Sequence, residues 1–280
     1  MMDPNALPLS ARYFPVRRAP LRMEAGLRRF GTDFGNGDVD RLFFQRDREE
    51  ARYLAAKAAA PPGRHGVLAR DEAERRVHRR VQEWMQAQLA QEHPDVAAQC
   101  DGTYASLAAR VQEDFAVLHR PQRDESAIAM FVSIPSGWRP ERLLGASFRT
   151  IHGPVPSFAD VEAQSASMVA SMIERGPYVR FVWTLAADDH LDHHPEEGKR
   201  SPWSAAGAGW LRVERQVMVP FPAESASLFL IRVYVYPFAA LSPEERETLA
   251  AAIEAMPDDV ARYKGLAGEP REIALSLLAD

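Results

Sequence analysis

Three short groups in the chain have residue types and spacings that could carry chemistry. In "TIHGPVPSF", Thr150–Phe158, one histidine, His152, precedes a Gly-Pro-Val-Pro run. A neutral imidazole can ligate zinc, iron or heme iron. Pro154 and Pro156 each hold the preceding residue in extended backbone, which would fix where the ring points. The plainer reading is a histidine at a strand end, hydrogen-bonded to backbone. The second group is "LRVERQ" with "FLIRVY", where Arg212, Glu214, Arg215 and Arg232 lie in two strand-like stretches joined by a short proline-containing connection. Arg215 shares the parity of Leu211, Val213 and Val217, so it is expected to point inward and to need an anionic partner, because an unpaired buried charge is costly. A ligand carboxylate or phosphate is one candidate partner, since Glu214 falls on the other face by parity. Cross-strand ion pairs on a solvated face account for the same residues equally well. The third group is "AADDHLDHHPEEGKR", in which His190, Asp192, His193 and His194 have a spacing that can bind a divalent metal. Its polar, aperiodic composition, ending in Pro and Gly, predicts an exposed loop without the rigid surroundings a metal site needs.

Other signatures are absent. The sequence contains no phosphate-cradling Gly-rich loop, no G-x-S-x-G elbow and no H-E-x-x-H zinc helix. Lys plus Arg number 34 against 39 Asp plus Glu, a formal net charge of -5, which gives no support to a nucleic-acid or anionic-membrane partner. No apolar run approaches the ~20 residues that span a bilayer, and "MMDPNALPLS" lacks the charged-then-apolar pattern of a signal peptide. A lone cysteine, Cys100, excludes internal disulfides and Cys-rich metal sites, so the chain is expected to be cytoplasmic and reduced.

The elements that must position these groups divide the chain of 280 residues at about residue 122. In the first part, "DREEARYLAAKAAA" predicts a helix stopped by Pro61-Pro62-Gly63. "RDEAERRVHRRVQEWMQAQLAQEH" predicts another, with Asp71 as N-cap and Val77, Val81, Trp84, Met85 and Leu89 on one face. "SLAARVQEDFAVL" predicts a third. In the second part, "AIAMFVSIP", "YVRFVWTLA", "WLRVERQVMV" and "SLFLIRVYVYPF" predict strands. "FADVEAQSASMVASMIERG" predicts a helix closed by Gly176, and "SPEERETLAAAIEAM" a final helix with a capping box of Ser242 and Glu245. Helices first and strands after predict an α+β fold with an antiparallel sheet. The whole forms one domain, 1–280, with a mainly helical part over 1–122 and a strand-rich part with a C-terminal helix over 123–280.

Read in order, "IPSGWRPERLLG", "IHGPVP", Arg180 and Trp183 in "VRFVW", "LRVERQ", "LFLIRVY" and "RYKG" resemble the heme-dependent oxidative N-demethylase alpha-subunit-like family. "LRMEAGL", "FQRD" and "VQEDFAVL" resemble its N-terminal half, so the likeness runs from about Tyr13 to Gly265. The resemblance implies a PAS-like antiparallel sheet with flanking helices that binds heme b. It also implies a monooxygenase that uses O2 to demethylate a small, dimethylamine-like alkylamine and releases formaldehyde. Electrons would come from NADPH through a separate flavin or iron–sulfur reductase, in keeping with the lack of a Rossmann fingerprint or ferredoxin cysteines here. On this reading His152 is the axial metal ligand and Arg212, Arg215 and Arg232 face the heme propionates. Glu214 holds a cationic amine or relays a proton, and Trp183 and Phe229 pack on the porphyrin. His119 is the competing axial ligand, set aside as a helix-end histidine without a stiff corner after it. One departure stands out: the family pattern has asparagine before the tryptophan of "VRFVW", where this chain has Val182. The resemblance leaves two other readings open, a PAS-like heme sensor or carrier without turnover, and a non-heme protein that binds a small anion or a metal on the same fold.

Overall fold

The computed structural model describes residues 7–18, 26–122, 124–156 and 158–279, and of 158–165 the backbone alone. The segment "LRMEAGL" therefore lies largely outside the described residues. In chain order the elements are β1 (Arg28–Arg29), α1 (Glu50–Ala59), β2 (His65–Val67), α2 (Glu72–Glu92), α3 (Pro94–Ala97), α4 (Tyr104–Ala108), β3 (Asp114–His119), β4 (Ser126–Phe131), α5 (Phe148–His152), α6 (Phe158–Glu174), β5 (Tyr178–Ala186), β6 (Trp210–Phe221), β7 (Ala226–Pro237), α7 (Pro243–Glu254), α8 (Asp258–Tyr263) and α9 (Glu269–Ala279). The strands form a seven-stranded sheet in the order β1-β5-β6-β7-β3-β4-β2. Every pairing in it is antiparallel, so the expected α+β class with an antiparallel sheet is what the chain adopts. Among the described residues no helix is long and apolar enough to cross a membrane.

Local signals set the helix ends. The Asp71 carboxylate accepts the Glu74 N–H and starts α2. Ser242 and Glu245 close a full capping box on α7, with Pro243 at its first position. Each such cap is worth about 1 kcal/mol. Val77, Val81, Met85 and Leu89 of α2 are buried and Trp84 is half-buried, the stripe that helical spacing predicts. That stripe packs on one face of the sheet against Val217, Val219, Leu228 and Leu230. The rest of the same face, Leu211, Val213, Trp183 and Leu185, is covered by Leu249 and Ile253 of α7, Val260 of α8 and Leu278 of α9. Fully burying each of these aliphatic side chains contributes about 1.5–3 kcal/mol.

Two expected elements differ. "SLAARVQEDFAVL" is not one helix: α4 ends at Ala108, and Asp114–His119 is a strand flanked on both sides, by β4 and by β7. A short apolar run reads as either helix or strand by periodicity, and here two hydrogen-bonded neighbours decide it. With β1, β2 and β3 all preceding residue 123, the first part supplies three of the seven strands. The second difference concerns the histidines. His152 ends a short helix capped by Ser147, whereas His119 ends a strand, the reverse of the expected placement.

Candidate functional site

The β5–β6–β7 register sorts the chemistry-bearing side chains onto two faces. Arg215 pairs with Arg232 and Phe181, Val213 with Trp183 and Tyr234, and Glu214 with Val182 and Val233. Trp183, Arg215 and Arg232 thus lie on the helix-covered face. Glu214, Arg212 and Phe229 lie on the opposite one, with Arg180 and Gln216. The alternation expected for β6 is therefore observed, and it separates the candidates that one flat ligand would need together.

The three arginines are each engaged by protein. Arg232 is fully buried and its Nη2 donates to the Asp47 carboxylate at 3.0 Å. Its guanidinium lies 3.7 Å from the Tyr53 ring centroid and 4.9 Å from that of Tyr234. Asp47 belongs to "FQRD", whose Gln45 donates to the Tyr13 hydroxyl and accepts from Tyr234, while Gln112 of "VQEDF" also donates to Asp47. Arg215 donates to the Leu42 carbonyl at 2.8 Å and leaves its Nη1 without a partner. Arg212 is 1% exposed and ties a loop to the sheet. It donates to the Ser136 hydroxyl at 2.8 Å, the Leu191 carbonyl at 2.6 Å and the His190 carbonyl at 3.1 Å.

That loop is the histidine-rich one, and it is only in part the exposed segment its composition predicts: Asp189, His190 and residues 195–197 are exposed, the middle of it is not. His193 and His194 are buried. His193 Nε2 lies 2.9 Å from an Asp188 oxygen, and the His193 backbone bonds Pro135 and Gly137. His194 Nδ1 accepts the N–H groups of Glu196 and Glu197. Burial, helped by the Arg212 charge and opposed by Asp188, holds His193 down at about 4, so the ring is neutral and donates Nε2–H to Asp188. Among the described residues no group of three or more His, Cys, Asp or Glu side chains could hold a metal ion. Asp188, His193 and His194 are turned inward and bonded there, while Asp189, His190, Glu196 and Glu197 stay exposed.

On the face opposite the main core, the middle of the sheet is left half-buried at Ala116, Arg180, Val182, Thr184, Glu214, Gln216, Phe229 and Ile231. It is rimmed rather than bare. Phe148 of α5 and Val169, Met172 and Ile173 of α6 pack on Leu118 and Met218 at one side, with Phe229 beside them. Trp138, Leu143, Leu144 and Ile151 pack on Met130 and Ala116 at a second. Tyr53, Ile134 and Leu191 of the tied loop pack on Val233 and Val235 at a third. Along β5, Lys264 donates to the Trp183 carbonyl at 2.5 Å, with its ammonium 4.9 Å from that indole's centroid. The Arg200 guanidinium lies 3.8 Å from where Gly137 and Gly265 would carry a Cβ, joining "SGW" to "YKG" at the rim. Segments far apart in sequence thus meet around one floor on which apolar residues (Ala116, Val182, Phe229, Ile231) alternate with polar ones (Arg180, Thr184, Glu214, Gln216), a surface that can both pack on a ligand and orient it.

His152 stands at this rim. Its Nδ1 is 2.8 Å from the Phe148 carbonyl, and its ring stacks on Phe148 at 4.0 Å. A neutral ring that donates Nδ1–H to this carbonyl keeps its lone pair on Nε2, the tautomer a metal ligand needs. Burial pushes its pKa down to about 4, partly offset by the Phe148 carbonyl, and the Arg180 charge acts in the same direction as burial. Glu214 accepts from the Gln216 amide at 2.9 Å. Burial lowers Lys264 to about 8 against the pull of Glu214. Arg180 and Lys264 lie inside "VRFVW" and "RYKG", where nothing local in the sequence marks either for a role. Their positions beside Glu214 depend on register and on the fold of α8, which no local pattern shows.

A heme fits these residues. The floor offers the apolar side chains of Ala116, Val182, Phe229 and Ile231, a neutral imidazole stands at its edge, and Arg180 Nε is shut off from solvent with no hydrogen-bond partner. The model of one family, described as "haem-dependent oxidative N-demethylase, alpha subunit-like", matches residues 70–270, which takes in α2, seven of the nine motif segments and every rim element named above except Tyr53. That span is well over half of the chain, so the protein belongs to the haem-dependent oxidative N-demethylase alpha-subunit-like family.

Proposed function

We propose that the protein is a heme b monooxygenase that oxidatively demethylates a small alkylamine, working on a PAS-like sheet within a single cytoplasmic domain. The observation that carries the reading is the half-open sheet face with neutral His152 at its edge, lying inside the family-matched span. When bound, heme would supply the iron at which O2 and two electrons, drawn from NADPH through a separate reductase, convert an N-methyl amine to the demethylated amine, formaldehyde and water.

The chain's own side chains would do the rest. His152 would hold the iron through Nε2, its ring fixed by the Nδ1–H bond to Phe148. Phe229, Ala116, Ile231 and Val182 would give the porphyrin an apolar bed and exclude water. Glu214, oriented by Gln216, would hold the cationic amine or move its proton at the carboxylate oxygen not bound to that amide. Arg212, Arg215, Arg232 and Trp183 would act at one remove, Arg212 by holding the 188–194 loop and the other three by fixing the far side of the sheet.

The test is the optical spectrum of wild type and His152→Ala after heme supplementation, followed by NADPH-driven formaldehyde release with a reductase present. A Soret band lost or shifted in the variant, with formaldehyde formed by wild type, supports the reading. A Soret band without turnover on any small N-methyl amine would leave a heme carrier or sensor. No heme in wild type would overturn the reading.

A further inference from the structure

The least satisfied cation beside the candidate site is Arg180. It lies in mid-strand on β5, on the half-open face, opposite Gln216. Burial lowers its pKa from the ordinary guanidinium range, with Glu214 the opposing influence. Its Nε has neither solvent nor a hydrogen-bond partner, and among the described residues no carboxylate comes within ion-pair distance of its guanidinium. The neighbouring cations differ. Arg212 spends its donors on Ser136, His190 and Leu191, and Lys264 donates to the Trp183 carbonyl. Glu214 is held by Gln216. A fold that keeps a guanidinium half-buried and unmatched leaves a large desolvation cost uncompensated unless an anion arrives with the ligand.

Resting on the heme reading above, we infer that Arg180 is the carboxylate anchor of this site and takes a propionate of the bound porphyrin. It shares the half-open face with Phe229, which packs beside Phe148, the ring on which His152 stacks, so it lies on the cofactor's side of the pocket rather than at a distant surface. A planar guanidinium with free donors can take a carboxylate in a two-bond fork that no lysine reproduces. This moves the anchoring role from the arginines of "RVER" and "LIRVY" to the arginine of "VRFVW".

Iron-free protoporphyrin IX and its dimethyl ester separate this contact from axial ligation, because neither carries iron and only the free acid carries propionates. Both are titrated into apo wild type, Arg180→Gln and Arg180→Lys, followed by quenching of tryptophan fluorescence. Wild type is expected to bind the acid about 10- to 100-fold more tightly than the ester, the range for one charge-assisted contact. Arg180→Gln is expected to bind both equally, with Arg180→Lys between. The apo Arg180→Gln protein should melt at or above the wild-type temperature, since it loses an unmatched charge; a purely structural arginine would lower it. The inference is overturned if folded Arg180→Gln keeps the preference for the acid, or if wild type shows none. If wild type takes up neither heme nor either porphyrin, the heme reading itself falls and takes the anchor with it.

Discussion

Removing the carboxylate of Asp47 would decide whether Arg232 is a structural group or a ligand group. The Arg232 guanidinium is wholly buried and Asp47 is nearly so, at 0% and 5% side-chain exposure, with 3.0 Å between them. Asp47 also accepts from the Ser10 hydroxyl at 2.6 Å, the Glu49 N–H at 2.9 Å and the Gln112 amide at 3.2 Å. Asp47→Ala strands Arg232, whose Nε already lacks a partner, among Tyr53 and Tyr234. Breaking a buried pair from one side costs about 3–5 kcal/mol. At about 2–3 °C per kcal/mol for a chain of this size, the melting temperature should fall by about 10 °C. Arg232→Met should cost a similar amount. The double variant Asp47→Leu/Arg232→Met should recover at least about 2 kcal/mol of the summed loss, because neither charge is then left alone. Urea and thermal unfolding of the four proteins give the cycle, and heme bound per folded molecule should be the same in all four. A loss under about 1 kcal/mol for Asp47→Ala, or strict additivity in the double variant, would refute the buried-pair argument. Heme lost from a folded Arg232→Met protein would return that arginine to the site.

Two further outcomes follow from the buried ionisable groups. His193 is held at about 4, against an ordinary imidazole value near 6.5, mainly by burial and then by Arg212. The unfolded chain therefore takes up this proton first as pH falls: the stabilisation is complete above about 6.5, is lost progressively toward pH 4, and amounts to roughly 3 kcal/mol. Urea midpoints measured between pH 7 and 4 should fall less steeply in His193→Gln than in wild type; parallel profiles would show that the ring is not held neutral. Lys264 is lowered to about 8 by burial while Glu214 opposes that shift, so Glu214→Gln should move the Lys264 titration further down. An upward movement in the NMR titration of its side chain would show that the two groups do not face each other across the site.

What could be read from sequence was whatever repeats locally. The alternation Leu211-Arg212-Val213-Glu214-Arg215 fixes both faces of β6, and the Asp71 and Ser242 caps fix two helix starts, because each signal lies within a few residues of the structure it specifies. What satisfies an inward arginine is another matter. The partner of Arg215 is the backbone carbonyl of Leu42, 173 residues away, and carbonyls leave no mark in a sequence. The burial of His193 and His194 was hidden for a related reason: their segment is polar, yet its polar atoms are consumed by Asp188, Pro135 and the N–H groups of Glu196 and Glu197. The Gly-Pro-Val-Pro run drew attention to His152 for its stiffness. Its observed setting is the end of a helix begun by Ser147, whose hydroxyl accepts the Thr150 N–H. That serine was visible three residues ahead of Thr150, and the prolines outweighed it. Of the site itself, the motif segments were visible and their meeting point was not, since register alone separates Trp183, Arg215 and Arg232 from Glu214 and Phe229.

The strand order has a consequence for synthesis. β7, the last strand to leave the ribosome, sits between β6 and β3. Until it is made, the earlier strands can assemble only as two fragments, β1-β5-β6 and β3-β4-β2, each with an open edge where β7 belongs. The outermost pairing, Arg28 with Val179, joins residues about 150 positions apart. At ribosomal speed β1 waits about 8–30 s for its partner. The apolar stripe of α2 waits about as long, since Leu228 and Leu230 of β7 are among the residues that cover it. A nascent chain of this protein is therefore a natural client for a holding chaperone until residue 237 has emerged, and its sheet closes in one late event around its final strand.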